Sequence, residues 1–390
     1  MCRWIAYFST EPILLADVIL RSEHSLVSQT HHHYLPDVPP PYNVADNLTN
    51  PNHKTNVDGF GVGWYTSVPA RYGALLHDSI AHAHTQLLSP TVYRSVQDPE
   101  GNENLAEICQ SIPSAVVFGH IRAATAGRNS QANCHPFKAG RFLFMHNGGI
   151  GGFATHVHEI RQRVSYAARR VIKGDTDSEH AFALFLSYLD SDGPWLRDYY
   201  TWELETALRR TIAELISICE PQGGWVDAHG HPRSWISFNV ALSTGTDFLA
   251  LRFAHPPERE APSLYWSSVG GSALDRRYRQ HPDGGRDLGN KPREEHAPHV
   301  VVASEPMTKE AHDEWVLMKN GDLLLSTTAE LDLVQTQREH QLKTHTLPPK
   351  GWWKPRIKRL FPAREPDHLS PLHSSRVHDL RLYPTARSNR

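Results

Sequence analysis

Two strand-like apolar stretches, 237–243 and 248–253, lie close together like the arms of a hairpin, and they narrow the fold more than any other feature of the chain. Such a pairing points to antiparallel sheets, since parallel neighbours need a long crossover between them. Further strand-like stretches lie at 3–8, 59–65, 115–121, 141–146, 299–304 and 322–326. Helices are expected at 12–20, 153–165, 178–189 and 202–220. In the last, Leu204, Leu208, Ile212, Leu215 and Cys219 mark one face, as packing on one side requires. The pattern predicts a layered body of helices and antiparallel sheet.

Two of these strands run into polar turns that carry chemistry. The apolar run 115–118 continues into Gly119-His120-Ile121-Arg122-Ala123-Ala124-Thr125, where Arg122 offers a carboxylate its planar fork of donors. The run 142–145 continues into His146-Asn147-Gly148-Gly149, a turn able to aim the Asn147 amide and the Gly148 N–H at one point, as an oxyanion hole requires. A third stretch, Gly174-Asp175-Thr176-Asp177-Ser178-Glu179, opens a helical segment and sets Asp177 where it can hold a substrate ammonium. Cysteine stands at position 2, so removal of Met1 leaves one residue with both a thiol and a free α-amine. A thiol of pKa about 8.5 and an amine near about 7.7 form a nucleophile and base in one residue. Each feature also has a plain structural reading: Arg122 as an ordinary ion pair, Asn147-Gly148 as a hairpin turn, the acids of 174–179 as helix caps. Their joint presence outweighs those readings.

Cys2, the Gly119–Thr125 segment, Asn133-Cys134-His135-Pro136-Phe137, the His146–Gly149 turn and the 174–179 segment stand in the order seen in class II glutamine amidotransferases, which are N-terminal-nucleophile hydrolases. The chain resembles most the stand-alone fungal type that cleaves the γ-glutamyl bond of glutathione together with a metallopeptidase-like partner. The opening Met-Cys-Arg-Trp and the stretches 58–65 and 300–306 look like that type, and the likeness spans roughly residues 2–330. The resemblance implies a four-layer αββα sandwich of two antiparallel sheets between helical layers. It also implies Cys2 as nucleophile, its α-amine as base, Asn147 and Gly148 as oxyanion hole, and Arg122 on the substrate α-carboxylate. Thr125 would line that pocket and Asp177 would receive the α-amine, in preference to Asp175; His135 would be a supporting residue. Many relatives carry His after that threonine, where this chain has Ala126.

Composition sets the outer limits. The chain has 390 residues with 39% hydrophobic content, enough for a substantial core, and a formal charge of −2 that gives no global reason to bind nucleic acid. Cys2, Cys109, Cys134 and Cys219 show no spacing of a disulfide or zinc framework, which suits a reducing, cytoplasmic setting. No apolar run is long enough to span a bilayer, and residues 1–20 lack the pattern of a secretory signal. The 26 histidines include spaced pairs at His31/His33, His82/His84, His156/His158 and His229/His231, without a zinc pattern around them, so no metal or cofactor is expected. Polar stretches 29–57 and 276–298 read as loop insertions. The segment 340–390 carries 11 Lys or Arg against 3 Asp or Glu, a net +8, and is expected to be a disordered basic tail in which Trp352 and Trp353 stand out. Three functions fit: a γ-glutamyl amide hydrolase acting on glutathione or a related compound, a glutaminase subunit feeding ammonia to a separate synthase, and a non-catalytic scaffold.

Overall fold

Trp4, Ala6 and Phe8 alternate with Ile5 and Tyr7 along one strand, and all five are buried, so that strand lies between two cores. The computed structural model describes residues 2–30, 58–69, 86–123, 127–231, 233–270, 274, 296–308, 314–343 and 353–360. Among them run β1 (Arg3–Leu14), β2 (Phe60–Pro69), β3 (Gln86–Ser95), β4 (Pro113–Ile121), β5 (Phe137–Ala139), β6 (Phe142–Ile150) and β7 (Ile236–Ser243). Then follow β8 (Asp247–Leu251), β9 (Ala254–His255), β10 (Tyr265–Ser267), β11 (His299–Ala303), β12 (Val316–Leu317), β13 (Asp322–Thr327) and β14 (Arg356–Arg359). The helices are α1 (Leu15–Ile19), α2 (Glu103–Ser111), α3 (Phe153–Arg163), α4 (Tyr166–Arg169), α5 (Asp177–Leu189), α6 (Thr201–Ile218) and α7 (Thr328–Lys343).

Among the described residues the strands form two seven-stranded sheets. The first has the order β12-β10-β11-β1-β4-β2-β3, and the second β14-β13-β8-β7-β6-β5 with β9 beside β7. The pairs are antiparallel, as the 237–243 and 248–253 hairpin foretold. Trp4, Ala6, Phe8, Val116 and Phe118 of the first sheet meet Leu143, Met145, Ala241, Phe248, Ala250 and Leu324 of the second in one apolar layer. On the outer face of the first sheet, Ile5, Tyr7 and Val117 pack under Leu15, Val18, Ile19, Leu105 and Cys109 of α1 and α2. On the outer face of the second, Phe144 stacks on Phe182 of α5 at 4.7 Å and Phe142 meets Phe185 edge-on at 5.9 Å. The result is an α+β sandwich of layers αββα. Tyr65 of β2 ties the sheets together at one end, its hydroxyl 2.7 Å from the carbonyls of Arg141 and Ser243.

Several elements differ from the sequence reading. Residues 12–14 belong to β1 rather than to a helix, because Pro12 falls at a register shift between Phe8 and Ile13 and the strand resumes beyond it. The strand β3 was not anticipated; its Pro90 breaks the pattern and is accommodated because β3 is the edge of its sheet. Helix α2 was also not anticipated; it begins where the Asn102 side chain accepts the Leu105 N–H at 2.9 Å. The expected tail at 340–390 starts too early. Residues 340–343 end α7, and Arg356–Arg359 pair with β13 as β14. Lys358 bonds Glu205 at 3.0 Å, Leu360 is buried, and Trp353 packs against the layer between the sheets. Trp352, residues 361–390, and most of both expected insertions lie outside the described residues.

Three histidines are buried close together, His120 and His135 beside each other and His146 on the outer face of β6 against the start of α5. His120 of β4 places Nε2 3.3 Å from the carbonyl of His146 on β6, and the His135 ring lies 4.2 Å from His120 and 4.4 Å from Phe137. Burial holds all three imidazoles neutral, lowering His120 from 6.5 to about 3 and His135 well below the usual range; nearby Arg122 adds to both shifts. Above about pH 6.5 both folded and unfolded chains keep these rings neutral. Below it the unfolded chain takes up protons that the native one refuses, so stability falls as the pH drops. Urea unfolding followed from pH 8 to pH 5 is expected to show this loss, and His135→Phe should flatten the slope.

Candidate active site

The hydrogen-bond ladders of β1 and β4 bring the ends of two sequence motifs together. Arg3 pairs with Ile121, which sets Cys2 next to the residues that follow β4. The Ala123 N–H donates to the Cys2 sulfur at 3.3 Å, and the thiol faces the Ala123 carbonyl at 3.5 Å. Cys2 is partly exposed by its overall area while its sulfur is enclosed. Burial pushes the thiol up from its usual value, opposed by the Ala123 hydrogen bond and by the positive charge of the amino end, Arg122 and Arg3. The Cys2 carbonyl accepts two hydrogen bonds, from Asn147 Nδ2 at 3.0 Å and from Arg3 Nη1 at 3.1 Å.

The second sheet supplies Asn147 from β6. One amide hydrogen of Asn147 is committed to the Cys2 carbonyl, and a primary amide has a second to give. Next to it Gly148 has φ +154°, and a Cβ there would stand 2.0 Å from the Ser237 carbonyl, so only glycine fits. His146 is held from both sides. Its Nε2 donates to the Ser237 carbonyl at 3.0 Å, which leaves Nδ1 to accept from the Ser178 hydroxyl at 2.8 Å. That bond ties β6 to the start of α5.

Helix α5 begins with a Thr176 cap whose hydroxyl accepts the Glu179 N–H at 3.4 Å. Asp177 Oδ2 accepts the Ile150 N–H at 2.9 Å, placing this carboxylate at the end of β6. Asp175 is engaged elsewhere, accepting from Asn133 Nδ2 at 2.6 Å. Glu179 closes the turn by accepting the N–H groups of Lys173 and Gly174 at 2.7 and 2.6 Å. Arg122 is 3% exposed; its Nη1 donates to the Arg128 carbonyl at 3.1 Å, and its Nη2 lies 3.3 Å from where a Gly127 Cβ would be. A Cβ at the same place would be 2.9 Å from Asp175 Oδ1, so Arg122 sits near the turn that leads into α5.

The structure thus gathers Cys2, Asn147, Gly148, Arg122 and Asp177 at one end of the sandwich, with Thr125 outside the described residues. His135 lies beside His120 in the histidine cluster and close enough to Arg122 to feel its charge. Sequence reasoning missed Arg3, Glu305, the Ala123 N–H and Ser178. Arg3 and Glu305 carried a legible signal, each being a charged residue at the end of an apolar strand. A backbone N–H carries none. Among the described residues no group of three or more His, Cys, Asp or Glu is arranged to hold a metal ion.

Two antiparallel seven-stranded sheets with helices on their outer faces are consistent with the αββα sandwich of N-terminal-nucleophile proteins. The family described as glutamine amidotransferases class-II matches residues 47–223, and over that span the chain is similar to it. It is similar to a Saccharomyces cerevisiae protein named probable glutamine amidotransferase DUG3, with 29% identity over 334 residues covering 83% of this chain and 81% of that one. Over 89 residues it is 36% identical to a glutamine–fructose-6-phosphate aminotransferase of Gluconobacter oxydans, covering 22% of this chain but 14% of that protein. Among solved structures, a glutamine aminotransferase class-II domain protein from Silicibacter pomeroyi shares 24% identity, covering 84% of this chain and 96% of that one with a TM-score of 0.47.

The geometry of Gly148 carries a direct test. Gly148→Ala forces a Cβ toward the Ser237 carbonyl in a backbone region that L-residues avoid. Chemical denaturation is expected to show a loss of about 2 kcal/mol or more.

Proposed function

We propose that this protein hydrolyses a γ-glutamyl amide bond through a γ-glutamyl thioester on Cys2. The observation that carries the reading is the double hold on the Cys2 carbonyl, by Asn147 at 3.0 Å and Arg3 at 3.1 Å, with the Ala123 N–H on the sulfur. In this proposal removal of Met1 frees the α-amine of Cys2, which takes the thiol proton as sulfur attacks the γ-carbonyl carbon. The oxyanion is met by the second Asn147 amide hydrogen and the Gly148 N–H. The C–N bond breaks as the α-ammonium of Cys2 protonates the leaving amine. Water, deprotonated by the same amine, then releases glutamate and restores the thiol. Arg122, with Thr125, takes the substrate α-carboxylate, and Asp177 takes the α-ammonium.

The finer assignments rest on the sequence resemblance. Glutathione or a related γ-glutamyl compound is the proposed substrate, a metallopeptidase-like protein the proposed partner and the cytoplasm the proposed site of action. No described helix is long and apolar enough to cross a membrane.

Two measurements test the reading together. Intact-mass analysis with an electrophilic glutamine analogue is expected to show a chain lacking Met1 and carrying one adduct, mapped to Cys2. Turnover of glutathione should exceed that of glutamine, with Asn147→Ala lowering kcat by about 10²- to 10³-fold and Cys2→Ala abolishing it. A chain that keeps Met1 at full activity sinks the proposal. Faster glutamine turnover on adding a synthase fraction favours ammonia delivery instead.

A further inference from the structure

We propose that Arg3 and Glu305 act as a buried positioning pair that fixes the nucleophile from the side opposite Asn147. This rests on the reading of Cys2 as nucleophile given above. Sheet register sets the pair. β1 and β11 pair Ile5 with Ala303, and beyond the last rung the Trp4 N–H donates to the Ser304 hydroxyl at 3.1 Å while the Ser304 N–H donates to the Trp4 carbonyl at 2.9 Å. Continuing that register sets Arg3 opposite Glu305. Arg3 Nε donates to Glu305 Oε1, and the two residues are 4% and 0% exposed.

Two full charges are thus enclosed at the catalytic end of the sandwich, an arrangement that on stability grounds is often no better than an apolar pair of the same volume. What the pair provides is a donor at a fixed place. Arg3 Nη1 reaches the Cys2 carbonyl from the first sheet, and Asn147 Nδ2 reaches the same oxygen from the second. With that carbonyl fixed, the Cys2 α-carbon has little freedom. Its sulfur stays by the Ala123 N–H, and its amine keeps one distance from the sulfur. Glu305 places a carboxylate at the Arg3 Nε and orients the guanidinium fork, leaving Nη1 for the carbonyl. The guanidinium also lies near enough to favour the ionised thiol. Neither side chain touches the proposed substrate in this scheme, so both act through Cys2.

The experiment uses the full chain with Met1 removed and compares wild type with Glu305→Gln and with the double variant Arg3→Met, Glu305→Met. Three quantities are read: the thermal midpoint, the pH profile of Cys2 alkylation by iodoacetamide, and kcat and KM on the γ-glutamyl compound that wild type turns over. The double variant removes both charges at once and is expected to melt close to wild type. Its kcat should fall by about tenfold or more with KM within about threefold, as expected when a reacting group is displaced without loss of binding. Its alkylation should slow, with a midpoint shifted to higher pH. Glu305→Gln should lower kcat by less, because it keeps a hydrogen bond to Arg3, and should shift the alkylation midpoint to lower pH, because the Arg3 charge near the thiol is no longer offset by the carboxylate. Should the double variant fail to fold, the fall in kcat together with the shift of the alkylation midpoint to lower pH in Glu305→Gln decides. Folded variants that alkylate and turn over like wild type overturn the pair, as does a lower melting point with an unchanged alkylation profile. A wild-type chain that alkylates at Cys2 yet turns over no γ-glutamyl compound defeats the functional reading, while the alkylation comparison still decides the pair.

Discussion

The hydrogen bond from Asn147 Nδ2 to the carbonyl of Cys2 spans the two sheets, and the site depends on it. Cys2 leads into β1 in the centre of the first sheet, and Asn147 lies in β6 of the second. A contact of 3.0 Å between them requires that the layers be held at one spacing and one register. The packing explains how. Large side chains, Trp4, Phe8, Phe118 and Phe248, fill the space between the sheets, with Phe8 and Phe248 stacked at 5.5 Å. At the far end of β6, Tyr65 reaches from the first sheet to carbonyls of the second. The site therefore sits at the opposite end, where strands stop and side chains of both sheets converge.

Where apolar packing gives way to polar groups, each polar group needs a partner. His146 meets this need by bonding Ser237 on one side and Ser178 on the other, which joins strand β6, strand β7 and helix α5 beneath Gly148. Asp177 adds a second tie between α5 and β6 through Ile150. The residue types that look catalytic in the sequence thus also hold the elements together. For Asp177 a structural bond and a role in binding an ammonium are compatible, since a carboxylate has several acceptor sites and uses one oxygen on the Ile150 N–H.

Continuous apolar runs made the central strands legible in advance. Trp4 to Phe8, 115–121, 141–146 and the 237–253 hairpin all lie on ladders of the sandwich, because residues covered on both faces must be apolar in every phase. Peripheral elements were not legible. β3 contains Pro90, β14 is exposed and charged, and β5, β9, β10 and β12 are three residues or fewer, so tertiary partners rather than local pattern decide them. His146–Gly149, expected as a turn, instead continue β6 in register with β7, because that ladder runs on to Ile150; these glycines and the acid-rich start of α5 still marked the site because both depart from strand or helix periodicity. Glu305 escaped notice as a partner of Arg3, since some 300 residues of chain separate them and sheet register alone joins them.

The same enclosure that orders Cys2 works against its reactivity. Burial raises the thiol above its usual value, and a nucleophile kept as the neutral thiol attacks slowly. The opposing influences are local: one backbone N–H from Ala123 and the positive charges of the amino end, Arg122 and Arg3. Were Arg3 unpaired, its charge would favour the thiolate more strongly, but a buried cation without a counter-ion would be costly to keep. Pairing it with Glu305 weakens that electrostatic help and preserves the geometry. The arrangement therefore favours position over raw thiol acidity. That choice suits the role proposed for Cys2, whose own amine would take the proton at the moment of attack and lessen the need for a standing thiolate.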